Sequence, residues 1–85
     1  MSRQPKYEQF LIDLKANLEG RVSFCEEQRT LHNDRAVLAK SRGSIKLSEM
    51  DYRSAADEAG RIYAYQTIIK MIDEAMAEKQ EGSDG

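Results

Sequence analysis

The chain has 85 residues, of which 40% are hydrophobic and 33% are charged. A chain of this length is expected to form one domain, here 1–85, and its charged fraction, above the usual 25% or so, suits a thin fold with much surface. The 13 basic and 15 acidic residues are interspersed. The sequence therefore lacks the basic excess typical of nucleic-acid-binding domains.

Cysteine content and the N-terminal sequence predict the compartment. Cys25 is the only cysteine, so no disulfide can form within the chain, and a reducing environment is indicated. The N-terminus lacks a signal-peptide pattern, and no apolar run approaches the roughly 20 residues that span a bilayer. We expect a cytoplasmic protein without a membrane partner.

The first predicted element is a long helix over about 5–40. Pro5 suits a first helical turn, and Gly43 is a plausible left-handed stop after the last turn. No further proline interrupts the chain. Apolar or weakly polar residues then recur at spacings of three and four, with one polar gap at Gln28 and Arg29, which indicates one helical face. They are Tyr7, Leu11, Leu14, Leu18, Val22, Cys25, His32 and Ala36.

A basic loop over 41–47 and a second helix over about 48–79 follow. Ser48 is a good N-cap residue, with Asp51 at the capping-box position. Leu47 and Tyr52 have the spacing of a hydrophobic staple. The acidic, glycine-containing segment 80–85 is expected to form a fraying tail.

Two long helices joined by a short loop are expected to lie antiparallel. The predicted fold is therefore all-α, a coiled-coil-like antiparallel two-helix hairpin. A hairpin of this size buries little surface by itself. We expect self-association to complete it to a helical bundle, with a dimer favoured.

Helix 2 carries two apolar stripes, which indicates more than one neighbour. The sequence leaves open which stripe packs on helix 1. The first stripe contains Tyr52, Ala56, Ala59, Tyr63 and Gln66, joined by Ala55 and Gly60, and the second contains Ile62, Tyr65, Ile69, Ile72 and Met76.

Three apolar residues of helix 1 lie beside its main stripe. Phe24, Leu31 and Leu38 are seven residues apart, so they share one side of the helix. We expect these three residues and the second stripe of helix 2 to form the self-association or partner interface. The alternative is that helix 1 curves and one core uses both stripes.

The sequence offers little for catalysis or metal binding. Cys25 and His32 are one heptad apart, about 10 Å along a helix, which is too far to hold one metal ion. Neighbouring acidic residues on a helix point about 100° apart and do not converge. We predict no enzyme activity, no cofactor and no metal site.

The basic loop is the sharpest local signal for a ligand. Lys40, Arg42 and Lys46 surround a glycine and two serines, and the segment leads to a helix N-terminus, where anions bind well. These residues are candidates for contact with a phosphate or an acidic partner. Phosphate-binding loops of NTPases have a different glycine and lysine spacing.

The leading functional hypothesis is a non-enzymatic protein–protein interaction module that self-associates and acts as an adaptor, assembly subunit or inhibitor. A phage-type accessory protein would fit this description. The alternative hypothesis is a nucleic-acid-backbone, nucleotide or phosphate binder that uses the basic loop.

Overall fold

A computed structural model describes the backbone of residues 5–84 and the side chains of residues 6–78. Two helices, α1 (Pro5–Ser41) and α2 (Ile45–Asp84), pack along their length as a hairpin. The Cα atoms extend over 66 × 18 × 12 Å, so the molecule is a flat rod with two broad faces. The predicted all-α antiparallel hairpin is confirmed.

A Schellman motif ends α1 and turns the chain. The Ser44 N–H donates to the Ala39 carbonyl at 2.8 Å, and the Gly43 N–H donates to the Lys40 carbonyl at 3.0 Å. Gly43 has a φ of 83°, in the left-handed region that glycine adopts without a steric penalty. The predicted glycine stop is thus confirmed.

The predicted start of α2 is wrong by one helical turn. The Ser48 N–H donates to the Ser44 carbonyl at 3.0 Å, which makes Ser44 the residue before the helix. Ser48 is only 3% exposed and lies inside α2, and Asp51 contacts His32 of α1. The Schellman motif explains the difference, because its last residue can begin the next helix directly.

The predicted end of α2 also differs from the structure. The helix continues to Asp84 and includes most of the segment 80–85 that we expected to form a tail. Gly85 lies outside the described residues.

The hydrophobic seam between the helices has two clusters. The first buries Leu11, Leu18 and Ile72, and the second buries Val22, Cys25 and Ile62. Partly buried side chains pack against these clusters from both helices. They are Leu14, Tyr65, Ile69 and Met76.

Small and polar residues continue the seam towards the turn. Ala36 is 0% exposed and Ala55 is 5% exposed. His32 Nδ1 lies 3.3 Å from Asp51 Oδ1 across the two helices, and each side chain is about one-fifth exposed. Small side chains let the helices come close here, so the turn of three residues can join them.

The seam shows which stripe of α2 faces α1. Ile62 and Ile72 are buried, and Tyr65, Ile69 and Met76 pack beside them. In the structure, α1 of the same chain covers this second stripe, where we expected a second copy. The second stripe of α2 has alternating spacings of three and four residues, which match the spacings along α1. The two rows therefore stay in register along the rod. The surface available to a partner therefore lies elsewhere.

Candidate interaction surface

The two broad faces of the hairpin can be told apart by the grooves that residues of both helices line. On one face, Phe24 of α1 and Arg61 of α2 line a shallow groove of about 620 Å³. On the same face, nearer the turn, Leu38 of α1 and Leu47 of α2 line a second groove. The groove residues also show on which side any residue seven or fourteen positions away lies, because seven residues are nearly two helical turns.

We call the first surface the apolar face. Leu47 and Arg61 are fourteen apart, Ile68 is seven beyond Arg61, and Phe10 is fourteen before Phe24, so all lie on this side. Eight of the fourteen large hydrophobic side chains that the described part of the chain exposes belong to it. Leu31 is seven beyond Phe24, and Met50 and Met71 are one helical turn beyond Leu47 and Ile68, so they extend this side. The apolar face consists of Phe10, Phe24, Leu31, Leu38, Leu47, Met50, Ile68 and Met71.

The three predicted interface residues of α1 lie at the centre and turn end of the apolar face. Phe24 is 60% exposed, Leu31 is 45% exposed and Leu38 is 49% exposed. They lie beside the seam, as their spacing predicted. Their role in binding stays a prediction.

Sequence reasoning missed the contribution of α2 to this face. Leu47 and Ile68 are three heptads apart, but Ser54 and Arg61 occupy the heptad positions between them. The polar residues hide the periodicity, and the predicted N-terminus of the helix placed Leu47 in the loop. Only the position of α1 shows that these side chains extend the row of Phe24 and Leu38.

The opposite surface, which we call the tyrosine face, carries the first stripe of α2. Lys15 Nζ of α1 lies 2.7 Å from Asp73 Oδ1 of α2 and marks this side of the hairpin. Tyr52, Ala59 and Gln66 precede Asp73 at intervals of seven, so they lie on the same side. The exposed Ile12, one turn before Lys15, and Ile45, seven residues before Tyr52, also lie on this side. We define the tyrosine face as Tyr52, Ala56, Ala59, Tyr63 and Gln66 with the Lys15–Asp73 pair and these two isoleucines.

An ion pair lies in the middle of the apolar face. Arg61 Nη1 is 3.1 Å from Glu58 Oε2, one turn earlier on α2. The Glu58 side chain is 13% exposed and also accepts a hydrogen bond from the Cys25 thiol beneath the groove. Glu58 thus balances the charge of Arg61 and gives the thiol a partner.

The chemistry of Cys25 is that of a buried structural thiol. The side chain is 5% exposed, and burial, followed by the hydrogen bond to Glu58, raises the pKa of its thiol. A raised pKa lowers the fraction of reactive thiolate at neutral pH. His32 lies one heptad away and contacts Asp51. In the part of the chain that the structure describes, no three Cys, His, Asp or Glu residues come together as metal ligands.

The structure places the predicted anion contacts at the turn. Lys40, Arg42 and Lys46 are all exposed. Arg42 also lines the groove between Leu38 and Leu47, together with Arg35. Basic side chains therefore border the turn end of the apolar face. Anion binding by these residues stays a prediction.

No known protein family matches this chain, and neither curated proteins nor solved structures show significant similarity to it. Among the described residues, neither helix combines the length and apolar character needed to cross a bilayer.

Proposed function

We propose that this protein is a non-enzymatic protein–protein interaction module that self-associates through its apolar face. The observation that carries the proposal is the concentration of exposed hydrophobic side chains on one side of a flat hairpin. Soluble monomers rarely expose large continuous apolar patches, and such patches mark interaction sites.

The dimensions of the hairpin support self-association. A two-helix unit buries hydrophobic side chains along one seam only, and proteins of this size are usually marginal without further stabilisation. Two hairpins that pack face to face would form a four-helix arrangement with a second hydrophobic layer. The broad face, at 66 × 18 Å on the Cα atoms, exceeds the roughly 800 Å² that each partner buries in a standard interface.

The remaining surfaces are suited to a different protein or to solvent. The tyrosine face exposes Tyr63 by 74% and Tyr52 by 43%, and tyrosine is favoured at protein interfaces. We propose an adaptor, assembly subunit or inhibitor, of the kind that phages use as accessory proteins. The free thiol of Cys25 supports a cytoplasmic location, because reducing compartments keep thiols unpaired.

The test compares two isoleucines of similar exposure on opposite faces. Ile68, 41% exposed, lies on the apolar face, and Ile12, 47% exposed, lies one turn from Lys15 on the other side. Absolute mass is measured by light scattering over a hundredfold concentration range. We expect Ile68→Asp to weaken association at least tenfold, because it brings a charge into an apolar interface at a cost above 1.4 kcal/mol.

The matched control Ile12→Asp is expected to associate like the unchanged chain. Circular dichroism shows whether both variants keep the helical hairpin. An unchanged chain that stays at 9.7 kDa throughout, or equal effects of the two substitutions, would refute self-association through the apolar face.

A further inference from the structure

The hairpin carries opposite charges at its two ends. The turn end, residues 35–48, has four basic side chains and no acidic one. The open end, residues 6–15 and 71–78, has five acidic and two basic side chains. The basic residues of the turn end are Arg35, Lys40, Arg42 and Lys46, and the acidic residues of the open end are Glu8, Asp13, Asp73, Glu74 and Glu78.

The apolar face has a regular spacing about its centre. Phe10, Phe24 and Leu38 are fourteen residues apart along α1, which is about 21 Å per step. Phe24 lies close to the middle of the α1 rod and, with Arg61, lines the central groove. A two-fold axis through Phe24, perpendicular to the rod, would therefore place Leu38 of one copy on Phe10 of the other.

We propose that the occupant of the apolar face is a second copy of this chain, packed face to face with its rod antiparallel and the two-fold axis near Phe24. This arrangement rests on the proposed function. It brings the basic turn end of each copy onto the acidic open end of the other. The same charges disfavour the parallel arrangement, which places four basic side chains beside four basic side chains.

The symmetry brings a basic and an acidic residue to the same height. Arg35 and Asp13 each lie eleven residues from Phe24, on opposite sides of it, so the two-fold axis places Arg35 of one copy level with Asp13 of the other along the interface. Arg35 lines the groove beside Leu38. Asp13 accepts a hydrogen bond from Gln9 at 2.9 Å, which helps to fix its position. Each dimer contains this pair twice.

Other contacts at the ends contribute less to orientation. Arg42 falls opposite Lys6 of the second copy, since both are eighteen residues from Phe24. The preference for the antiparallel arrangement therefore depends on the Arg35–Asp13 pairs, on the contact of Leu38 with Phe10 and on the overall charge of each end.

Disulfide cross-linking tests the arrangement in a Cys25→Ala background, which removes the native thiol. Phe24→Cys lies on the two-fold axis and is expected to cross-link to itself. A mixture of Phe10→Cys and Leu38→Cys chains is expected to form the mixed cross-link. A mixture of Leu38→Cys and Leu47→Cys chains is the matched control, because only the parallel arrangement brings these two positions together.

Charge exchange gives a second readout without new cysteines. Arg35→Glu alone and Asp13→Arg alone are each expected to raise the dimer dissociation constant about tenfold, since each affects two symmetric pairs. The double variant reverses both charges and is expected to return to within about twofold of the unchanged chain. Failure of the double variant to recover would contradict the predicted pair.

The outcomes separate this arrangement from the proposed function. A dimer that forms the cross-link between Phe10 and Leu38 positions supports both. A dimer that lacks it, or that cross-links between Leu38 and Leu47 positions, overturns the antiparallel arrangement and leaves self-association standing. A chain that is monomeric by light scattering at all concentrations overturns both.

Discussion

The apolar face and the tyrosine face are formed by the same two helices, but they present different side chains to a partner. The apolar face combines rows from both helices, because Phe24 and Arg61 line one groove and Leu38 and Leu47 line another. On the tyrosine face, the described ion pair between the helices is Lys15–Asp73. A row of exposed apolar side chains at heptad spacing forms a larger hydrophobic surface when the neighbouring helix carries a second such row on the same side of the hairpin.

The two faces differ because of the orientation of α2 about its own axis, which is set by the stripe that packs against α1. The alternating three- and four-residue spacing of Ile62, Tyr65 and Ile69 fits the seam of α1. Once that stripe is buried, Ile68 points to one side of the hairpin and Tyr63 to the other. The tyrosine face exposes fewer large hydrophobic side chains, among them Ile12, Ile45, Tyr52 and Tyr63. Ala56 and Ala59 contribute only small side chains to it.

The largest expected effect is on the free energy of unfolding, which a substitution in the seam lowers more than one on the apolar face. Ile62 is 6% exposed and Ile68 is 41% exposed, and both lie on α2. Ile62→Ala is expected to cost about 2–5 kcal/mol of unfolding free energy, because it leaves a cavity in the seam. Ile68→Ala is expected to cost under about 1 kcal/mol in the monomer. Urea denaturation at low protein concentration measures both. Equal losses would contradict the assignment of the seam.

The seam was only partly predictable from the sequence. Helix periodicity, the lack of internal proline and Gly43 predicted two helices and the turn between them. Ser44 and Ser48 are both good caps, and only the hydrogen bonds of the turn decide between them. Both stripes of α2 have helical spacing, so the choice of seam depends on the fit to α1. A single sequence does not encode that fit as a local pattern.

An intermediate effect concerns the thiol beneath the apolar face. Burial raises the folded-state pKa of Cys25, so its contribution to stability is fully present below the unfolded pKa of about 8.5 and is lost as pH rises through the folded value. We therefore expect stability to fall above about pH 8.5 in the unchanged chain, and to fall less in Cys25→Ala.

Thermal melts from pH 7 to 10 measure the stability difference between the two chains. Alkylation gives an independent check, since the thiol of the folded chain is expected to react at least about tenfold more slowly than that of the urea-unfolded chain. Parallel pH profiles together with fast alkylation would show that Cys25 is not buried in the seam.

The smallest expected effect lies on the tyrosine face. The hydrogen bond to Asp73 raises the pKa of Lys15. Its contribution is therefore present below the unfolded pKa of about 10.4 and is lost as pH rises through the higher folded value. Exposed ion pairs stabilise proteins little, so Lys15→Met is expected to shift the melting temperature by a few degrees at most.

The effect of Lys15→Met on association distinguishes the tyrosine face from the apolar face. Because Lys15 lies on the opposite side, Lys15→Met is expected to leave the dimer dissociation constant unchanged. Weakened association in this variant, measured by light scattering, would assign the interface to the tyrosine face.

The most direct test of the central claim is oxidative footprinting of the unchanged chain at low and high concentration. Met50 and Met71 report on the apolar face, at 57% and 61% exposure, and Tyr63 reports on the tyrosine face, at 74% exposure. We predict that the labelling rates of Met50 and Met71 fall as concentration rises while that of Tyr63 stays constant. Protection of Tyr63 with continued labelling of both methionines, or constant rates at all three, would contradict self-association through the apolar face.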